Sequence, residues 1–449
     1  MNFRYSAALL VMGTAVHFFG GTGCAQGTST TPDSKTPATA APAANGVWNY
    51  FKRTVKLSGS IRVRWEGPEG SNFTITPSDS YSLSRIRFGM AFQPTSWLRM
   101  FGELQDSRAE WYKSNPNNTM SDPWDFRQGY VEVGKIEGNG FKFRGGRQDL
   151  FIGSGRLLTT GDWSNVSKVY DVGRAFLTTD AVKLDVVAGT VILADPTRMD
   201  RPKPGEHLYA AYSSFGKLIP HASLEPYMMA KTVLDVKGKN GKLGNADIVY
   251  GGARFLGTLP GGLDYNAEAV REGGEYAADV MKAFGYVTGA GWTAAKAPWT
   301  PHLISEYLYG SGDDNRKDGH HQQFDYLYGA QQPIVSLNGQ FAWRNIEDLK
   351  LGGEVHPLKQ LTVSLFYKDY WLATVQDGLW SGAGVKTVFD AKATSNHVGE
   401  GLENMFTVKV TPKTTVGAGV GTLTPGAYLK QAGKTTGYLY PYIMFLRTL

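Results

Sequence analysis

The feature that most limits what this chain can fold into is a two-residue hydrophobic period, carried in runs of about ten residues. Val55, Leu57, Ile61, Val63 and Trp65 alternate with Lys56, Ser58, Ser60, Arg62 and Arg64. Ile86, Phe88, Met90 and Phe92 repeat the pattern against Arg85, Arg87, Ala91 and Gln93. Successive side chains on a strand point to opposite faces, so each run is a strand with one apolar and one polar face. Further runs cover 180–193, 247–257, 281–293, 360–373 and 437–446. Turn residues separate them, as in Pro94-Thr95-Ser96, Glu137-Gly138-Asn139-Gly140, Leu259-Pro260-Gly261-Gly262 and Thr411-Pro412-Lys413. The chain holds about 18 such runs, an even number that suits a closed antiparallel barrel.

Strand length separates the all-β alternatives. Strands of a soluble sandwich usually run about 5–6 residues, and a propeller would repeat a blade signature about every 40. Runs near ten residues match a tilted crossing of a bilayer. Trp97, Trp124, Trp292, Trp299, Tyr370 and Trp371 sit at strand ends, where interfacial girdles form. The last run, Tyr438 to Phe445, is aromatic-rich, and Arg447-Thr448-Leu449 trail it. Mean hydropathy is slightly negative, which a barrel tolerates because only alternate residues meet lipid. The expected fold is therefore a transmembrane antiparallel β-barrel.

The N-terminus reads as an address. Arg4 precedes an apolar run from Tyr5 to Phe19, and Gly23 and Ala25 set up cleavage before Gln26. A lipidated Cys24 is the rival reading, although Gly21 fits poorly three residues before such a cysteine. Residues 1–25 are assigned to a cleaved signal peptide and 26–46 to a Thr/Pro/Ala-rich disordered tail. Residues 47–449 are assigned to the barrel, in the outer membrane of a Gram-negative cell. Cys24 is the single cysteine, so no disulfide framework is expected. The net charge of +6 is mild and spread out, unlike the clustered charge of a nucleic-acid binder.

No GxSxG, P-loop, HExxH or GxGxxG pattern is present, so neither an enzyme nor a cofactor is expected. His320-His321 is the only adjacent pair among eight histidines, and neighbours on a strand face opposite ways. A solvated loop is the better reading of that pair. Arginine on the polar strand faces stands out: Arg62, Arg64, Arg85, Arg87, Arg99 and Arg144, with Arg147 counted beside them as pore lining. A guanidinium facing lipid costs about 2–4 kcal/mol at the midplane, so these groups are expected to face inward. They either pair with Glu66, Glu103 and Glu132 and fill the lumen, or stay unpaired and select anions. Asp313, Asn315 and Asp318 form a weak calcium-loop candidate in which Lys317 occupies a ligand position.

Several segments resemble the alginate-export family of outer-membrane barrels. They are Phe101–Ala109, Gly129–Val133, Phe143–Leu150, Gly155–Leu158, Tyr309–Asn315, Tyr367–Ala373 and Val398–Glu403, with Phe324-Asp325 and Tyr328-Gly329 between the later ones. The similarity runs in order from about Leu57 to the C-terminus, and the Gly-Arg-Gln and Gly-Ser-Gly-Asp-Asp segments are its most specific parts. Lys368-Asp369 stands where that family often has a His, and Glu403 where it usually has an Asp. The resemblance implies a monomeric 18-stranded pore that passes an anionic exopolysaccharide outward, with outer-membrane lipid and periplasmic polysaccharide-secretion proteins as partners. The rival function is small-solute uptake on the same scaffold.

Overall fold

The computed structural model describes residues 44–75, 79–112, 117–239, 241–315, 317–337 and 339–449. The signal peptide, Cys24 and nearly all of the tail lie outside the described residues. Ala44–Thr54 forms a helix, α1, that leads into the wall. Residues 47–54, expected as barrel, are thus helical, and the first strand starts at Val55 where the alternation starts.

Eighteen long strands make the wall. They begin β1 (Val55–Glu66), β2 (Tyr81–Thr95), β3 (Leu98–Glu110), β4 (Asp122–Gly134), β5 (Gly140–Gln148) and β6 (Tyr170–Thr178). Next come β7 (Lys183–Leu193), β8 (Glu206–Ile219), β9 (Ala222–Lys237), β10 (Leu243–Leu259), β11 (Leu263–Tyr276) and β12 (Phe284–Thr293). The last six are β13 (His302–Gly310), β14 (Ile346–Leu358), β15 (Leu361–Trp371), β16 (His397–Thr411), β17 (Thr414–Pro425) and β18 (Tyr438–Thr448). Each pairs antiparallel with the next, and β18 closes on β1 with Phe445 opposite Val63. Closure leaves the sheet without an open edge, which a lipid surround demands. The trailing Arg447 and Thr448 are part of the closing strand, opposite Ile61 and Ser60.

The two ends of the barrel differ. Hairpins such as 259–263 are tight, and there Gly261 and Gly262 adopt φ of 82° and 85°. A Cβ on Gly262 would lie 2.3 Å from the Thr293 carbonyl oxygen. The opposite end carries long connections, among them 149–169, 311–345 and 372–396. Short turns mark the periplasmic end and long loops the extracellular end, so α1 and the C-terminus lie on the periplasmic side.

The faces follow the alternation. Ile86, Phe88 and Met90 are 45–49 % exposed on the outside, while Arg85 and Arg87 point inward and are buried. Leu57, Ile61, Val63, Phe141 and Phe143 continue the outer apolar surface. An apolar area of that extent far exceeds the few hundred Å² that soluble monomers expose, and lipid is the solvent that covers it. Trp97, Trp124, Trp292 and Trp299 are exposed at strand ends as a girdle requires. Tyr370 departs from that expectation: it is 2 % exposed and faces the lumen, its ring 4.3 Å from that of Phe341. It occupies the parity opposite to Trp371, so only one of the two can reach lipid.

With Cys24 replaced, cysteine at Phe88 is expected to react with a membrane-phase maleimide, and cysteine at Ser60 with a water-soluble one. The reverse pattern would reject the register, because a one-residue slip inverts every side chain.

Candidate functional site

The site is built where a loop too apolar for open solvent enters the barrel. Residues 149–169 connect β5 to β6 and bury Leu150, Ile152, Leu157, Leu158 and Trp163. A small hairpin pairs Phe151 with Thr159 and Ile152 with Leu158. The loop is bonded to both sides of the wall. Ser154 donates to Glu268 of β11 at 2.8 Å, and Arg156 reaches Glu306 of β13 at 2.7 Å. It also meets the 311–345 loop, where the Tyr328 amide donates to the Leu157 carbonyl at 2.8 Å. Gly329 permits that crossing, since a Cβ there would fall 1.7 Å from the Arg156 carbonyl oxygen.

On the opposite side the loop lies against arginines of β1 and β2. Arg85 grips Asp162 with two nitrogens at 2.9 and 3.0 Å, and Arg87 adds a third contact at 2.9 Å. Arg62 donates to the carbonyls of Asp162 and Ser164 at 2.6 and 2.9 Å. Arg64 bonds Glu66 at 2.5 Å and the Trp163 carbonyl at 2.7 Å, and stacks over the Trp163 ring. Burial alone would raise the Asp162 carboxyl, but Arg85, Arg87 and Arg62 together hold it well below the usual carboxylate range. All four arginines sit inward as expected. The loop then covers them, so they are 2–8 % exposed and do not stand bare in a channel.

Further along the same wall, cations still outnumber carboxylates once Lys142 is counted with the arginines. Arg127 on β4 bridges Glu103 at 2.6 Å and the loop's Asp149 at 2.5 Å. Glu132 serves Arg99 at 2.5 Å, Lys142 at 3.0 Å and Arg144 at 3.2 Å. Arg144 stacks on Tyr130 and Phe176, and Arg174 packs over Phe176 while pairing with Asp185. A cavity of about 310 Å³ opens here, lined by Ser58, Ser60, Arg87, Arg127, Arg144 and Arg174 among others. Lys168 on the loop is exposed and makes no ion pair among the described residues. Arg147 does not belong to this surface. Three residues from Arg144, it shares the outer face with Phe141 and Phe143 and bonds Asp171 at 2.9 Å. The pore-lining assignment of Arg147 is corrected on strand parity.

The far wall is acidic. Glu268, Glu272, Glu306, Asp348 and Glu403 face inward from β11 to β16, and Asp348 binds Lys368 at 2.5 Å. Glu272 takes the Asp325 amide, and Glu403 takes the Leu337 amide, so both anchor the 311–345 loop. Burial raises the Asp325 carboxyl on its own, yet Lys231 and Arg344 bring it down to about 2. Cations share that wall too: Arg254 pairs with Glu225 at 2.6 Å, and Lys231 reaches Asp325 at 2.7 Å.

The weak calcium candidate does not assemble. Asp313 pairs with Lys239, Asn315 Oδ1 accepts the Lys317 amide, and Asp318 Oδ1 accepts the His320 amide. Each group is spent locally. His321 stacks on Tyr276 at 4.2 Å, and burial lowers its ring to about 4.

Comparison with known proteins agrees with this geometry. Residues 53–440 match the family described as alginate export. The chain belongs to that family. No curated protein matches the chain. Among solved structures, OccK5 (OpdH) of Pseudomonas aeruginosa superposes with a TM-score of 0.58 at 10 % identity, over 88 % of this chain and 98 % of that one. OpdQ of the same organism gives 0.58 at 12 % identity, over 88 % and 97 %. OpdK, crystallised with vanillate, gives 0.56 at 11 % identity, over 88 % and 98 %. Family and fold are those of outer-membrane channels and not of enzymes.

Two outcomes follow for the loop. Asp162→Ala leaves Arg85 and Arg87 buried without their carboxylate, a loss of about 3–5 kcal/mol. A lower unfolding temperature and a larger, noisier single-channel conductance are expected; unchanged values would place the restraint elsewhere. Because the Asp162 carboxyl is depressed, its contribution is full above the ordinary carboxylate pKa and is lost only as pH falls through the lowered value. Conductance should hold from pH 7 down to pH 4, and a loosening already between pH 6 and 5 would contradict the clamp.

Proposed function

We propose that this outer-membrane channel passes an anionic polysaccharide, an alginate-like polyuronate, along its arginine-rich wall. The observation that carries the reading is the ratio of cations to carboxylates. Glu132 serves three cations, Asp162 serves two guanidiniums with a third beside it, and Lys168 has no ion-pair partner among the described residues. Such a wall keeps a positive surplus after internal pairing. Arginine presents a planar fork to carboxylates, and the rings of Tyr130 and Phe176 offer flat faces beside it. Weak, repeated sites let a polymer slide instead of lodging. No nucleotide-binding pattern is present in the sequence, so flux follows a gradient or a push from periplasmic synthesis.

A second reading keeps the anion preference and shrinks the solute. The 149–169 loop is bonded to both sides of the lumen, and OpdK was crystallised with vanillate, a small carboxylate. Uptake of a small organic anion fits that restricted lumen without loop movement.

Planar-bilayer recording tests both. A reversal potential on the anion side is expected, with conductance falling when polyuronate is added from the periplasmic side. Lys168→Glu, which removes an unpaired charge, should move the reversal potential toward cations and leave the barrel heat-modifiable. A wild-type pore that prefers cations would remove the basis for both readings. Anion preference with no response to polymer would favour the small-solute reading.

A further inference from the structure

A separate carboxylate cluster lies at the extracellular rim. Asp122 and Asp125 are three apart on β4, a spacing that normally puts side chains on opposite faces. A bulge resolves the conflict: Gln105 faces Asp125 and Ser107 faces Asp122, so Pro123 and Trp124 of β4 together oppose Asp106 of β3. Trp124, inside the bulge, takes φ of 46° and projects outward. Both aspartates therefore turn inward, where they are 2 % and 3 % exposed. Asp200, from the 194–205 loop, completes the group. One oxygen from each of the three lies within 4.8 Å of the others.

Among the described residues, none of the three carboxylates forms an ion pair with a cation. Asp125 Oδ2 accepts the Asp200 amide at 2.7 Å, but Asp125 Oδ1 is fully buried and has no hydrogen-bond partner. The Asp122 carboxylate takes no hydrogen bond or ion pair among the described residues. Asp200 Oδ1 accepts the Asp195 amide at 2.7 Å, and Arg147 hydrogen-bonds the Asp200 carbonyl but forms its ion pair with Asp171. Asp195 is occupied by Thr197 and Arg198, and Asp106 by Arg108 and the Trp124 amide. Three buried carboxylates at this spacing repel one another unless a proton or a cation intervenes. Oxygens within 4.8 Å of one another can share one ion at about 2.4 Å, a calcium–oxygen distance, and an all-carboxylate oxygen set suits that hard cation.

We propose that Asp122, Asp125 and Asp200 form a calcium site that fastens the 194–205 loop to the rim of β4. The site lies one contact from the lumen loop. Asn118 of the neighbouring 117–121 segment donates to the Ala194 carbonyl, and Asn165 of the lumen loop donates to the Met120 carbonyl at 2.9 Å. Bound calcium thus stiffens three extracellular segments together.

The test is calorimetric titration of the detergent-purified protein with calcium chloride after EDTA stripping. One ion per chain is expected, with Asp125→Asn and Asp200→Asn each weakening it at least tenfold and Glu137→Gln leaving it unchanged. Heat-modifiability shows that each variant is folded, and Asp200 lies on a loop outside the wall. Calcium should also slow tryptic cleavage after Arg198, whose side chain is 55 % exposed, at least fivefold. Absence of saturable binding, or binding by both aspartate variants as tight as wild type, overturns the site.

Discussion

The lumen of this barrel depends on one electrostatic constraint: guanidiniums that cannot face lipid and cannot stay bare once buried. Arg62, Arg64, Arg85 and Arg87 lie on two adjacent strands, and their own strands supply only Glu66. The remaining compensation comes from the 149–169 loop, through the Asp162 carboxylate and a row of main-chain carbonyls. Removing either side would strand buried charge, which costs more than an ordinary contact. That cost is what makes an apolar segment enter the barrel and stay there.

Two solvents shape the rest. Lipid outside requires apolar residues at every second position and forbids an open sheet edge. Inside, a ring of this size would enclose a wide aqueous channel, and the long extracellular loops reduce it. They carry their own core, with Phe324, Leu337, Phe341 and Trp343 essentially inaccessible. Anchors on the acidic half, Glu272 and Glu403, receive loop amides, whereas arginines on the other half receive loop carboxylates. A cavity of about 310 Å³ remains beside Arg87, Arg127, Arg144 and Arg174, with Glu103 and Asp149 also in its lining, and the proposed anion passage relies on those arginines.

The wall was legible in the sequence because period two is a property of single strands. Val55, Ile86 and Phe88 announce their faces without any partner, and the Pro-Gly-Gly turn announces its hairpin. The partners of the arginines were only partly legible. Glu66, Glu103 and Glu132 sit on strands and were expected, but Asp149 and Asp162 lie in a segment with no period to read. A usable signal did exist: Leu150, Phe151, Ile152, Leu157, Leu158, Trp163, Val166 and Val169 are too many apolar residues for a solvent loop. Arginine content alone groups Arg147 with the pore lining, whereas its parity with Phe141 and Phe143 places it on the outer face. The carboxylates of Asp122 and Asp125 were hidden because a bulge, which sequence alternation cannot reveal, places them on one face.

Backbone hydrogen exchange of the intact protein in detergent tests the central claim most directly. If the arginine wall and the acidic wall hold the 149–169 loop, amides such as those of Thr160, Val166 and Lys168, all hydrogen-bonded here, should exchange as slowly as those of β5 and β6. Exchange of the whole loop within seconds, beside protected wall strands, would contradict a clamped loop and return the lumen to an open, arginine-lined channel.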